Sequence, residues 1–177
     1  MEHQVGVCDV VHAAMCEQEV DVLTQAVAGV KLVMGGFGEI NEVKAKSQEC
    51  GLEEDVFFPG WVRDEEKDGY LKSSSVFFLP SYSEGMPMSV LDAMGYGLPI
   101  VASNVGGIPK LIDGNGFMYE PGDIDGFAEG LSVLLTDEEK RDKMGRRSLE
   151  IIEQSYSLSH HIDDLETVYE DVYEKAS

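Results

Sequence analysis

The sequence predicts an α/β fold, a parallel sheet flanked by helices on both faces. Three observations carry that expectation. Short apolar runs alternate with amphipathic stretches along the chain, and strand ends open into glycine-rich loops. The 177-residue length, with 43% hydrophobic and 27% charged residues, suits one globular domain or one half of a larger enzyme. A chain of this size buries about 70% of the surface its unfolded form exposes, enough for a two-sided core.

Lys31–Met34, Val56–Phe58, Val76–Leu79 and Pro99–Ala102 are apolar runs of strand length. Between them Ile40–Glu49, Glu65–Ser73 and Met88–Gly95 read as helices. Strands separated by helices are parallel and covered on both faces. Three further helices follow at Ile124–Leu135, Glu138–Gln154 and Ser157–Glu174. The last one lines up Leu158, Ile162, Leu165, Val168, Tyr169, Val172 and Tyr173 at steps of three and four. That stripe fits either a helix packed on its own domain or one reaching onto a partner domain. The start of the chain is less regular. Val5–Val11 has the composition of a strand, broken by Asp9 and followed by His12. A helix over Val20–Val30 runs into Lys31 almost without a loop, where a few residues are usual. Residues 1–30 are therefore read as a truncated segment and 31–177 as the domain proper.

Charge and cysteine usage narrow the partners. Thirteen Lys and Arg against 34 Asp and Glu give a net charge of −21. Nucleic acid and anionic membrane surfaces are poor partners, since cations meeting phosphates dominate affinity there. Cys8, Cys16 and Cys50 are odd in number and scattered, which fits a reducing cytoplasm rather than a disulfide framework. No metal is expected: the cysteines lack ligand spacing, and His160-His161 are adjacent rather than four apart as a helical metal pair requires. No signal peptide and no membrane span is predicted.

Two loops carry the chemistry. In KLVMGGFGE (31–39) a strand ends in Gly35, Gly36 and Gly38 before a helix, so a ligand can approach the backbone closely. It is an incomplete dinucleotide fingerprint, with Asn41 where the third glycine belongs, and counts against a nicotinamide-binding oxidoreductase. In PSYSEGMPMSVLDAMGYGLP (80–99) Pro87 is expected at the first helical position, where its missing N–H costs nothing. The N–H groups of Met88, Ser89 and Val90 then face the mouth above the sheet, and Glu84 and Asp92 flank the loop. Helix N-termini supply donors for phosphate and carboxylates supply acceptors for hydroxyls, a combination that suits a nucleotide sugar. Each acid taken singly also fits a solvated side chain of an acidic protein.

The stretches LVMGGFGE, VFFPGWV, VFFLPSYSEGMPMSVLDAMGYGLPIVASNVGGIPKLI, NGFMYEPGD and MGRRSLEII resemble, in order and spacing from Lys31 onward, the signature of retaining GT-B glycosyltransferases of family four (glycosyl transferases group 1). The resemblance implies a Rossmann-like, C-terminal nucleotide-sugar-binding domain, one half of a GT-B fold. It implies that Glu84 is the catalytic first acid of the family's E-x7-E motif and contacts the donor sugar. Asp92 takes the position of the second acid, which binds ribose hydroxyls and is usually Glu. By the same resemblance Gly85, Met86, Ser89 and Val90 cradle sugar and diphosphate, Gly36 and Gly38 face the phosphates, and Gly60, Trp61 and Val62 wall the base. Met86-Pro87 replaces the common Phe-Gly. Residues 1–30 match poorly: the family's Arg and Lys, which stabilise the leaving diphosphate, fall near Ala13 and Gln18, and the N-terminal acceptor-binding domain is missing.

The implied activity is hexosyl transfer from a nucleoside diphosphate sugar, as substrate and without a cofactor, to an acceptor glycan or lipid-linked sugar in polysaccharide biosynthesis. The setting is cytoplasmic, with attachment to the inner face of the membrane made through other parts of the enzyme. A fragment with little activity of its own is expected. The alternative is a nonenzymatic module that docks on a separate acceptor domain.

Overall fold

The computed structural model describes residues 3–10, 22, 30–36 and 40–176. Six strands, β1 (His3–Val10), β2 (Val30–Gly36), β3 (Val56–Gly60), β4 (Val76–Leu79), β5 (Ile100–Ser103) and β6 (Gly116–Tyr119), form one sheet in the order β3-β2-β1-β4-β5-β6. Every neighbouring pair is parallel. The helices are α1 (Ile40–Glu49), α2 (Asp64–Ser73), α3 (Met88–Gly95), α4 (Ile124–Thr136), α5 (Glu138–Ile151) and α6 (Leu158–Ala176). The start of the chain thus supplies the strand between β2 and β4, and Asp9 lies inside it rather than breaking it. The expected helix over Val20–Val30 lies outside the described residues except for a helical, buried Val22 and for Val30, which opens β2.

Period-two alternation divides the apolar residues between the faces of the sheet. Val76, Phe78 and Val101 join Leu32, Met34, Val43, Phe127, Leu131 and Leu134 in one core. Phe77, Leu79, Ile100 and Ala102 join Leu71, Val90, Met94, Ile108 and Ile151 in the other. All four residues of β4 are buried because both faces are covered, which is why the strand reads as an unbroken apolar run. α4 starts at Asp123, whose carboxylate accepts the Gly126 N–H at 3.0 Å, and α5 at Asp137, which accepts the Lys140 N–H at 2.9 Å. A buried polar tie fixes α5 to the segments that lead into β5 and β6. Ser148 Oγ donates to the Leu98 carbonyl at 2.7 Å and meets Asn115 Nδ2 at 3.3 Å.

Three expectations need correction. β6 was not foreseen; its four residues are only half-buried and follow Gly114 and Asn115, so no apolar run marks it. α5 ends at Ile151, and Ile152–Tyr156 continue as a single π-helical turn rather than as α-helix to Gln154. Pro87 caps α3 in an extended conformation instead of opening it, so Met88 is the first helical residue. The stripe on α6 is largely uncovered among the described residues: Leu158, Ile162, Leu165, Val168, Tyr169, Val172 and Tyr173 are 75%, 46%, 43%, 57%, 72%, 62% and 76% exposed. At its start the Ser157 hydroxyl accepts the His160 N–H at 3.3 Å, which places His160 in a helix cap.

Tyr119 at the end of β6 packs edge-on to Phe127 with centroids 5.5 Å apart. Burial, and behind it the charges of Glu129 and Asp123, push its hydroxyl above the usual tyrosine range. Because the folded value is the raised one, the stabilisation is whole below about pH 10 and is lost as pH climbs through the folded value. The urea midpoint of the wild type should therefore fall more steeply in alkali than that of Tyr119→Phe. Parallel falls would acquit Tyr119.

Candidate functional site

Strand order reverses on either side of β1, so β2 and β3 lie to one side and β4 to β6 to the other. In open parallel sheets the crevice beyond the carboxyl ends at such a switch is where ligands bind. The glycines foreseen from the sequence gather there. Gly36 ends β2 with φ +131°, Gly60 ends β3 with φ +83°, and Gly35 and Gly60 are partners across the β2–β3 ladder. Gly38 lies outside the described residues. Trp61 follows Gly60 and is 39% exposed, with the Arg63 guanidinium 5.0 Å from its ring centre. Val62 beside it packs against the core that holds Leu71 and Val90.

The loop after β4 is shaped by two prolines and one glycine. Pro80 and Pro87 are buried at its two ends, whereas Gly85 and Met86 are exposed between them. No side chain caps α3, and no acid stands in its first turn. The leading N–H groups of a helix have no intrahelical acceptors, and they carry the positive end of its dipole. In so acidic a chain this end remains receptive to an anion, and Ser89 and Val90, buried at the first turn, contribute backbone N–H groups to it.

The two acids hold different partners. Glu84, half-buried, accepts a hydrogen bond from Ser81 Oγ at 2.6 Å, within its own loop. Asp92, on the second turn of α3, turns to α2, where Lys67 Nζ donates to its Oδ2 at 2.8 Å. Nearby, the Asp68 carboxylate acts on the Tyr96 hydroxyl just after α3 and raises it above the ordinary tyrosine range.

Sequence reasoning missed the groups that hold the acids. Lys67 gives no local signal, since it lies 25 residues from Asp92. Ser81 stands three residues before Glu84 and could have been read as its donor. Gly106 and Gly107 stand out in the sequence as a pair, but their task becomes visible only in space. Gly106 has φ +56°, and a Cβ there would lie 1.9 Å from the Glu84 carbonyl oxygen. The Gly107 N–H donates to the Gly85 carbonyl at 2.6 Å. The loop after β5 therefore clasps the backbone of the acid-bearing loop. Among the described residues no helix is long and apolar enough to cross a membrane.

A doubly wound parallel sheet with open loops at its switch point is the Rossmann-like architecture of one half of a GT-B glycosyltransferase. Anabaena HepE, solved with UDP and glucose, superposes with a TM-score of 0.86 at 23% identity, over 96% of this chain and 48% of that one. The C-terminal domain of a glycosyl transferase group 1 family protein from Francisella tularensis superposes with a TM-score of 0.78 at 19% identity, over 88% of this chain and 87% of its own. Both likenesses bear on the fold.

The chain belongs to the glycosyl transferases group 1 family, whose model matches residues 9–150. It is 33% identical over 144 residues to the UDP-Gal:alpha-D-GlcNAc-diphosphoundecaprenol alpha-1,3-galactosyltransferase of Escherichia coli, covering 79% of this chain. The match spans only 36% of that relative's length.

Proposed function

We propose that this chain is the donor-binding half of a retaining glycosyltransferase of family four, holding a nucleoside diphosphate sugar for transfer to an acceptor hydroxyl. The observation that carries the reading is the uncapped start of α3 beside the switch point, with no acid in its first turn in a chain of net charge −21. Backbone N–H groups there receive the diphosphate. Gly36, Gly38, Gly85 and Met86 let it approach closely, Gly60, Trp61 and Val62 wall the base, Glu84 meets the donor sugar and Asp92 the ribose. The nucleotide sugar is substrate, with neither cofactor nor metal. The acceptor, a glycan or lipid-linked sugar, is held by a further domain of the parent enzyme, and the cytoplasmic setting follows from nucleotide-sugar chemistry. By the resemblance, the positions of the cations that steady the leaving diphosphate fall near Ala13 and Gln18. Losing one such donor costs about 2.7–4 kcal/mol in comparable sites, so the chain alone turns over little.

Calorimetric titration with UDP, GDP and ADP, and then with their hexosyl derivatives, tests the reading, while the fluorescence of the single tryptophan, Trp61, reports where the base sits. Asp92→Asn should weaken binding of the bare nucleoside diphosphate about tenfold, the usual scale for a charged hydrogen bond. Glu84→Gln should leave that affinity nearly unchanged and erase the preference for the sugar-bearing form. Equal losses of both affinities in both variants would defeat this division of roles.

The exposed apolar face of α6 favours a second reading, a nonenzymatic module that docks on a separate acceptor-domain polypeptide. A stable heterocomplex on gel filtration, with no nucleotide bound by the chain alone, would select it.

A further inference from the structure

Lys67 on α2 and Asp92 on α3 form an ion pair that joins the two helices. Lys67 is the fourth residue of α2, the helix that starts directly after the Gly60-Trp61-Val62 segment, and Asp92 lies on the second turn of α3. Their N···O distance is 2.8 Å, and the side chains are 29% and 37% exposed. The pair is therefore shielded enough for its geometry to persist and open enough for a ligand to reach it. Met88 and Gly95, four residues before and three residues after Asp92 on α3, are exposed, so the half-buried carboxylate lies along the accessible side of the helix.

The chemistry of the pair is complementary. A carboxylate only accepts hydrogen bonds and an ammonium only donates them, with three N–H groups to distribute. A vicinal diol needs both functions, because each hydroxyl donates one hydrogen and offers lone pairs. The ion pair uses Oδ2 of Asp92. Oδ1 can accept from one hydroxyl, and an ammonium that holds Oδ2 can still turn an N–H toward the oxygen of the neighbouring hydroxyl. Lys67 also removes a charge problem. An unpaired carboxylate beside a diphosphate would repel it within a chain already at −21.

We propose that Lys67 is a specificity-determining residue of the donor site, which with Asp92 forms a paired donor and acceptor for the 2′,3′-diol of the nucleotide's ribose. This rests on the reading of Asp92 as the ribose-binding acid. A purely structural tie between α2 and α3 would hold the helices together but would not distinguish ribose from deoxyribose.

The test uses the whole chain as wild type, Lys67→Met and Lys67→Arg, titrated calorimetrically with UDP and 2′-deoxy-UDP, and with GDP and 2′-deoxy-GDP. The wild type should prefer the ribonucleotide about tenfold or more, the scale of a charged hydrogen bond. In Lys67→Met that preference should collapse to about twofold, chiefly through loss of ribonucleotide affinity, and Lys67→Arg should recover part of it. Melting temperatures should stay close to wild type, because a half-exposed pair contributes about 0–1 kcal/mol to folding. A ribonucleotide preference that survives in Lys67→Met, or an equal loss for ribo- and deoxynucleotide, overturns the assignment while leaving the proposed function standing. Failure of the wild type to bind any of the four nucleotides overturns both.

Discussion

Gly106→Ala should abolish most of the donor affinity at a modest cost in stability. The residue sits at φ +56°, where a side chain is strained, and its new Cβ would lie 1.9 Å from the Glu84 carbonyl oxygen. Real Cβ atoms do not approach backbone so closely, so one of the two loops must move. The strained backbone itself costs about 1–2 kcal/mol. The movement would break the Gly107 N–H to Gly85 carbonyl bond, 2.6 Å in the intact loop, and displace Glu84 and Gly85 together. For a chain of this size the melting temperature should fall by roughly 3–8 °C. Nucleotide affinity should fall about tenfold or more, since small misplacements of binding groups forfeit their interactions. Gly69→Ala is the matched control: it lies inside α2 with nothing within 4 Å of its added Cβ. That change should stabilise by about 0.5–1 kcal/mol and leave binding untouched. Wild-type affinity in Gly106→Ala would show that the clasp does not set the position of the Glu84 loop.

Phe127→Ala should be the most destabilising single change in the described core. Phe127 is 1% exposed, and its ring lies 5.5 Å from that of Phe78 on β4 and 5.5 Å from that of Tyr119 on β6. One side chain of α4 thereby ties two strands to each other through their common face. Truncation of a buried Phe costs about 3–5 kcal/mol, the lost transfer energy together with the cavity left behind. Urea unfolding should show a loss of that size, and the melting temperature should drop on the order of 10 °C. Nucleotide affinity of the fraction that remains folded should hardly change, because Phe127 lies in the core and not at the strand ends. A loss below about 1 kcal/mol would mean that α4 re-seats on the sheet.

What could be read from the sequence depended on how local each signal was. Val76–Leu79 announced itself because both of its faces are covered, and Gly95 with Gly97 and Pro99 marked the end of α3 and the start of the next strand within a few residues. β6 stayed hidden because Gly116–Tyr119 is short, half-buried and preceded by turn residues, so its place depends on the Ile100–Gly116 pairing rather than on its own composition. The end of α5 was misread for a different reason. Ile151, Ile152 and Tyr156 fit a helical stripe, and inserting one π-helical turn alters hydrogen bonding without altering that composition. At the site, spacing and resemblance singled out Glu84 and Asp92 from local sequence, while Pro87 lies one position outside the helix it was expected to open. Partners of the two acids gave no such signal, because Lys67 reaches Asp92, and Gly106 reaches Glu84, only once separate elements are laid side by side. The stripe on α6 was legible as a periodicity, yet periodicity alone could not say whether the domain itself would cover it.

The place of β1 in the sheet has a consequence for how the molecule is assembled. β1 is wedged between the two wings, and its register with β4 consists of only Val5 opposite Val76 and Gly6 opposite Phe77. It must wait for a partner some seventy residues downstream, a long-range closure of the kind that slows folding and leaves strand edges bare meanwhile. Deleting His3–Val10 would therefore not shorten a margin but cut the sheet into a two-stranded and a three-stranded piece, each with a newly exposed edge inviting aggregation.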